Sequence, residues 1–374
     1  MSDPIRVLQV VGTMDMGGAE TFLMNLYRNI DREQLQFDFL CHNRIESQYA
    51  DEIRALGGRM FCVDGPSHVG AFGYLKQLYT FFVQHPEYKV VHAHQNDMNG
   101  MILMEAKRAG IKHRYSHSHT VYVGKSLQYK IRIAIFQFLV NTCTTDAFAC
   151  SVPAGEGLYR GRLKRQFQVV QNGIDTECFS FSPETRQSVR NELKLGEGPV
   201  IGHVGRFAPV KNHRFILACF RALLQRNPKA QLMLIGTGEL EHQIKTMVQD
   251  LSIADSVHFL GARTDVFRLM NAMDIFLFPS INEGLPVSVV EAQASGLQVL
   301  MSDSVSEDTV LTDLVSSYSL RNSPEMWADK LEELTQKAKL CDRKAYPALV
   351  KEKGFDAKQV ADQLTEKYMA DSLN

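Results

Sequence analysis

Two carboxylates open the reading. Glu283 and Glu291 are separated by seven residues in Pro279-Ser280-Ile281-Asn282-Glu283-Gly284-Leu285-Pro286-Val287-Ser288-Val289-Val290-Glu291-Ala292. A carboxylate has two acceptor oxygens and suits vicinal hydroxyls, the pattern that sugars present. Pro286 fits the first turn of a helix, which would put Glu291 about five residues into it and leave Glu283 on the loop beside Gly284. The alternative is a loop acid and a helix-face acid, both solvated. Leu285, Val287, Val289, Val290 and Ala292 make the helix start almost wholly apolar, and a carboxylate buried there needs a partner.

Three further groupings have chemical potential. Gly205-Arg206 precedes Lys211-Asn212. A planar guanidinium and a compact ammonium at a strand's carboxyl end can converge on a diphosphate, or can simply be solvated cations. Gly12-Thr13-Met14-Asp15-Met16-Gly17-Gly18-Ala19-Glu20 runs from a strand into a helix. Gly17 and Gly18 would let a phosphate approach free N–H groups at the helix start, or would merely make a tight turn. This loop is neither GxGxxG nor Walker A, so a nicotinamide dehydrogenase and a P-loop ATPase are not indicated. His92 and His94 flank one strand end, and His117 and His119 another. Residues two apart share a strand face, and four imidazoles are metal-ligand types. No acidic DxD-type pair stands nearby, and His92 and His117 read as core residues.

The elements that must carry these residues alternate. Strands are predicted at Arg6–Val11, Phe37–Cys41, Met60–Val63, Val90–Ala93, His113–His117, Ala147–Ala149 and Gln168–Gln171, then at Val200–Val204, Gln231–Ile235, Val257–Leu260, Ile275–Phe278 and Gln298–Met301. Helical patterns lie between most of them. This is an α/β chain of βαβ units with parallel sheets. With 374 residues, two domains are expected. The rhythm breaks at Phe179 through Pro199, so the boundary is placed at 180/181: an N-terminal domain over 1–180 and a C-terminal domain over 181–355. An amphipathic helix over 356–374 follows, with Val360, Leu364 and Tyr368 four apart.

At this point the chain resembles the retaining, nucleotide-sugar-dependent glycosyltransferases of family 4, which have the GT-B fold. Glu283-x7-Glu291 within Pro-Ser-x-x-Glu-Gly-Leu-Pro carries the likeness. Gly17-Gly18-Ala19-Glu20 resembles that family's N-terminal phosphate loop, Asn172-Gly173-Ile174-Asp175 its interdomain segment, Gly205-Arg206 with Lys211-Asn212 its diphosphate clamp, and Phe259-Leu260-Gly261 its base-proximal loop. The matches keep family order over nearly the whole chain. One departure is Gln298, where the family often has Pro; it touches a turn and no proposed ligand group.

The resemblance implies two Rossmann-like domains facing across a cleft, with the C-terminal helix packing back on the first. It implies that Arg206 and Lys211 bind the donor diphosphate, that Glu291 holds the nucleotide ribose and that Glu283 contacts the donor sugar. Gly284, Leu285 and Pro286 would cradle phosphates and sugar, with Gly17, Gly18, Leu260 and Asn172 also on the donor side. His119 matches the family histidine that reaches the transferred sugar, and His94 is a weaker match. The donor expected is a UDP-sugar, with a GDP-sugar second, and the acceptor a glycan or lipid-linked hydroxyl in cell-surface polysaccharide synthesis. No cofactor and no metal is expected. Other GT-B chemistry (a nucleotide-sugar epimerase or hydrolase) and a catalytically silent sugar-nucleotide-binding protein stay open.

Composition bounds the setting. Lys plus Arg total 41 against 42 for Asp plus Glu, a net charge of −1, and a protein that binds nucleic acid by phosphate neutralisation would be more basic. No transmembrane run and no signal peptide are seen. Seven scattered cysteines without a CxxC pair suit a reduced compartment and not a cysteine zinc site. A cytoplasmic protein is expected, with the inner membrane face as an alternative location. Lys125, Lys130 and Arg132 among Leu127, Ile131, Ile133, Ile135, Phe136 and Phe138, followed by Arg160, Arg162, Lys164 and Arg165, are candidates for peripheral contact with an anionic membrane. A core helix and a solvated cationic loop are the other reading.

Overall fold

The computed structural model describes residues 3–15, 17–42, 46–120 and 127–373, with backbone alone for 127–132. They form two compact units, Met1–Gly173 with Ala357–Asn374, and Ile174–Asp356.

The first unit holds seven strands: β1 (Ile5–Val10), β2 (Leu35–His42), β3 (Met60–Val63), β4 (Val90–Ala93), β5 (His113–Ser118), β6 (Asp146–Ala149) and β7 (Gln168–Val169). Their order is β3-β2-β1-β4-β5-β6-β7, and every pairing is parallel. Side chains alternate between two covered faces. Leu8, Val10, Val91 and Ala93 pack under the helices Pro66–Gln84 and Asn99–Arg108. Val7, Val90 and Tyr115 face the other way, toward Phe22, Leu26 and Tyr27 of helix Gly18–Asn29. The C-terminal helix Ala357–Ser372 completes that layer with Val360, Ala361, Leu364 and Tyr368.

The second unit repeats the plan with β8 (Val200–Val204), β9 (Gln231–Ile235), β10 (Val257–Phe259), β11 (Ile275–Phe278), β12 (Gln298–Ser302) and β13 (Val315–Tyr318). The order is β10-β9-β8-β11-β12-β13, again parallel throughout. This is the doubly wound arrangement, in which the chain reverses direction beside the first strand of the unit. Ligands of such sheets bind outside the strands' carboxyl ends at that switch. The switches here lie at β1/β4 and β8/β11, so the loops leaving those four strands are where chemistry is expected.

Two expectations are corrected. The boundary lies at 173/174 and not at 180/181. The Ile174 N–H donates to the Phe355 carbonyl, Thr176 Oγ1 donates to Asp356 at 3.0 Å, and Phe179 is buried in the second core. Residues 174–180 are therefore held by the second unit. Strand β13 was missed by the sequence pattern. Its Val-Ser-Ser-Tyr run has polar centres because it pairs on one side only and is incompletely buried. Gln298 opens β12, away from the candidate ligand groups.

Candidate active site

In the second unit the switch-point loops meet through their backbones. Gly205 leaves β8, and its N–H donates to Ile235. Gly236 leaves β9 with φ 135°, and a Cβ there would strike the Gly205 carbonyl. The Phe207 N–H donates to the Thr237 carbonyl at 2.9 Å. A Cβ at Gly205 would also meet Lys211 Cε at 3.2 Å, so the glycine leaves the lysine stem its path. Asn212 takes φ 56° and donates its amide to the Pro279 carbonyl at 3.1 Å, while the Ile281 N–H donates to Val210 at 2.8 Å. The cationic loop is thereby fastened to the loop that carries Glu283.

The structure brings Lys211 and Glu283 together. Lys211 Nζ lies 2.8 Å from Glu283 Oε1, and both side chains are largely buried. The same ammonium stands 4.7 Å from the centroid of the Phe278 ring, within cation–π range. The Ser306 N–H donates to the Glu283 carbonyl at 3.2 Å, which anchors the acid's backbone from the loop after β12. Arg206 does not join this pair. Its side chain is 74% exposed and meets Glu239 Oε2 at 3.1 Å.

Helix Val287–Ala294 begins after Pro286, which caps it with extended backbone. Glu291 is the fifth helical residue. Val289, Val290 and Ala292 beside it are fully buried. Burial pushes the Glu291 carboxyl up to about 7, and no ion pair to it is found among the described residues. Leu285 is buried in the same core, and Leu260 packs against it. Pro286 has no N–H, so donation to an anion at this helix start falls to Leu285 and the first helical residues.

Sequence reading missed three features here. Glu239 holds Arg206, and the Gly236-Thr237-Gly238 turn just after β9 was a signal that went unused. His203 and His213 lie beneath Lys211, rings 4.9 Å apart. His203 donates through Nδ1 to the Leu277 carbonyl at 2.9 Å, while its Nε2 and both nitrogens of His213 are buried without partners among the described residues. Burial keeps both neutral, with the nearby Lys211 charge acting the same way.

The first unit collects its candidates at the other switch. Gly17 precedes helix Gly18–Asn29 without a side-chain cap, and Met16 lies outside the described residues. The Glu20 carboxylate folds over Gly17, where a Cβ would stand, and burial raises its pKa. An anion at this helix start must therefore contend with Glu20. Among the described residues nothing lies within 4 Å of the place a Cβ on Gly18 would take, so its small size answers no contact there.

His119 follows β5. Its N–H donates to Asn96 Oδ1 at 2.8 Å, and its Nε2 lies 2.9 Å from His94 Nδ1. His94 Nε2 lies 2.9 Å from Gln9 Oε1, which can only accept. The proton thus sits on His94 Nε2, and His94 Nδ1 accepts from His119. Burial pushes His119 down to about 3, so it stays neutral at ordinary pH. Asn172 is buried, and its Oδ1 has no partner among the described residues.

Two doubly wound parallel-sheet units, with Glu283, Glu291 and Lys211 on a helix and loops leaving one switch point, define the GT-B class. The comparisons then fix the family. The model described as "Glycosyl transferases group 1" matches residues 185–348, and "Glycosyltransferase Family 4" matches 16–178. The chain is 33% identical to the putative glycosyltransferase EpsF of Bacillus subtilis (strain 168), over 97% of this chain and 96% of the relative. It is 24% identical to the UDP-Gal:alpha-D-GlcNAc-diphosphoundecaprenol alpha-1,3-galactosyltransferase of Escherichia coli, over 77% and 76%. The crystal structure of Anabaena Alr3699/HepE in complex with UDP superposes with a TM-score of 0.78 at 17% identity, covering 97% and 99%. The chain belongs to the family 4 glycosyltransferases and has the GT-B fold.

The Glu291 environment makes a pH prediction. Its folded pKa of about 7 exceeds the ordinary 4.5. The stability contributed by the protonated carboxyl is present below the unfolded value and is lost as pH rises through about 7. Glu291→Gln removes that loss. The melting temperature of the ligand-free variant should match wild type near pH 4.5, exceed it increasingly toward pH 7 and hold a constant excess above. Parallel melting curves would refute the assignment.

Proposed function

We propose that this glycosyltransferase moves a sugar from a UDP-sugar to a hydroxyl of a glycan or lipid-linked acceptor in cell-surface polysaccharide synthesis, with retention of configuration. The observation that carries the proposal is Lys211 bonded to Glu283, with Glu291 free of any ion pair among the described residues, all on loops and a helix leaving β8 and β11. UDP is favoured over GDP by two relatives: the superposing Anabaena structure holds UDP, and the Escherichia coli enzyme's name specifies UDP-Gal and a diphosphoundecaprenol-linked acceptor.

The roles follow from charge and position. Lys211 leaves Glu283 for the donor diphosphate and stabilises the negative charge that grows on it as the glycosidic bond breaks. Arg206, exposed in its pairing with Glu239, adds a second cation. Glu283, released from Lys211, accepts from sugar hydroxyls, and Glu291 accepts from the ribose. Leu285 supplies a backbone donor, Gly284 and Pro286 shape the turn, Leu260 borders the base and Gly18 leaves room. Gly17, Asn172 and His119 keep the roles that the family resemblance implies. The transition state is oxocarbenium-like, as in glycosyl chemistry generally. Lysine and arginine do here what Mg²⁺ does for other diphosphate leaving groups, so transfer needs no metal.

Membrane contact is part of the proposal. Phe72 is 91% exposed on helix Pro66–Gln84, and Ile135 and Phe138 are exposed on helix Leu127–Cys143. These helices flank Asn99–Arg108, which presents Lys107 and Arg108. Arg160, Arg162, Lys164 and Arg165 are exposed nearby in sequence. Ile133, in contrast, is buried. Lys125 lies outside the described residues, as do the side chains of Leu127, Lys130, Ile131 and Arg132. Apolar side chains with basic neighbours suit an anionic bilayer surface. No helix among the described residues is long and apolar enough to cross a membrane.

Three measurements test these roles. Calorimetry with UDP should show Glu291→Gln losing about 1.5–3 kcal/mol of binding, with Glu283→Gln sparing UDP and impairing transfer; equal UDP losses would overturn this division of labour. Lys211→Ala should lower kcat on the order of 100-fold or more, and wild-type transfer should survive excess EDTA. A normal kcat with raised KM, or activity lost to EDTA and restored by Mg²⁺, would sink those roles. Sedimentation with vesicles containing anionic lipid should retain the protein, and Phe72→Ser with Phe138→Ser should release it; equal retention of the variant would rule out this face, and a wild type that does not sediment would overturn membrane contact.

A further inference from the structure

The first unit contains a polar cluster that the transfer reading does not use. His92 on β4 and His117 on β5 are fully buried, and His94 is nearly so. Strand alternation sets all three on the sheet face covered by helices Gly18–Asn29 and Ala357–Ser372. His92 and His117 stack at 5.4 Å between centroids, with His94 4.2 Å from His92 and 5.3 Å from His117.

Their hydrogen bonding is incomplete. His92 reaches Tyr368 Oη through Nδ1 at 2.6 Å, but its Nε2 has no partner among the described residues. Neither nitrogen of His117 has one there either. Buried polar atoms are ordinarily satisfied, and an unsatisfied group asks for an ion or water. One ring nitrogen from each of His92, His94 and His117 lies within 4.8 Å of the other two. Tetrahedral zinc with Zn–N bonds of about 2.0–2.1 Å needs nitrogens roughly 3.4 Å apart. The rings must draw together by no more than about an ångström and a half to bind one ion.

We propose that His92, His94 and His117 form a three-imidazole site for a borderline transition-metal ion, with Zn²⁺ the natural occupant. All-nitrogen ligands select against Mg²⁺ and Ca²⁺, which prefer oxygen. Outer partners are in place: Tyr368 on His92 and Gln9 on His94, the arrangement that orients metal-bound imidazoles. Because Gln9 fixes the proton on His94 Nε2, His94 ligates through Nδ1 and leaves His119. The ion is therefore no participant in transfer. It withdraws His94 from the histidine assigned to the sugar, so it acts against transfer. That consequence rests on the function proposed above; the binding does not.

The test uses untagged full-length protein stripped with EDTA and dialysed. Titration with Co²⁺ should give one bound equivalent with visible d–d bands, which one equivalent of Zn²⁺ abolishes. His92→Asn and His117→Asn should each weaken Zn²⁺ binding at least tenfold in calorimetry while keeping the far-UV circular dichroism. Long-range ¹H–¹⁵N spectra of wild type read the site without substitution: zinc should shift three buried imidazoles. Absence of a bound equivalent, undiminished binding in both variants, or unshifted imidazoles overturns the site. One equivalent of Zn²⁺ should also lower transfer, and EDTA restore it. A protein that binds zinc yet transfers no sugar keeps the site and loses the transfer reading; one that transfers and binds no zinc does the reverse.

Discussion

A parallel strand covered on both faces has no solvated side on which to place a polar group. Both sheets here are of that kind, with apolar cores above and below each. Burying an unpaired polar group is unfavourable by several kcal/mol at the upper end of about 2–7, so strand interiors are mostly apolar, and the few polar residues there, such as Gln9, Asp38, His92 and His117, must find partners inside the core. Reactive side chains are displaced to the strand ends, where loops are free of the alternation. Because the chain reverses direction at β1/β4 and β8/β11, the loops there diverge and leave room for a ligand. The glycines at 205 and 236 follow from the same crowding, since two loop backbones must touch to hold Lys211 in place.

Charge at the second switch point is arranged for exchange. Lys211 is satisfied without ligand by Glu283 and by the Phe278 ring, so the ammonium is kept in position without being left bare. On the function proposed above, a donor diphosphate, which carries more charge than a carboxylate, takes its place. Glu291 is the opposite case. Its ionised form is disfavoured by its surroundings, and an apolar residue would make a more stable helix start. A group held at a loss of stability, on the helix that leaves a switch-point strand, is the usual mark of a binding or catalytic role.

Much of this was legible in the residues. Alternation of apolar runs with helical segments fixed the α/β class and most strands to within a residue or two. Glu283 and Glu291 stood out because an acid in Leu-Pro-Val-Ser-Val-Val-Glu-Ala has no local reason to be there. Less legible was whatever depends on pairing across the fold. β13 has a polar centre because it is an edge. The boundary moved to 173/174 because Ile174 bonds to Phe355, a contact no local window contains. Glu239 found Arg206 through a turn after a different strand.

The histidines show the limit most plainly. Period-two spacing at His92/His94 and His117/His119 placed the rings on one face, and burial was the expected consequence for His92 and His117. Burial and satisfaction are separate properties, however. A core histidine needs an acceptor and a donor at fixed directions, and those come from other strands and helices. Gln9 and Tyr368 arrive from opposite ends of the chain and serve one nitrogen each on His94 and His92. Nothing arrives for His117 among the described residues. Four imidazoles in a row offer one another mainly ring faces and at best one N–H···N bond, made between His119 and His94. The surplus lone pairs are a consequence of packing like against like, and a cation is the one kind of partner that several lone pairs can share.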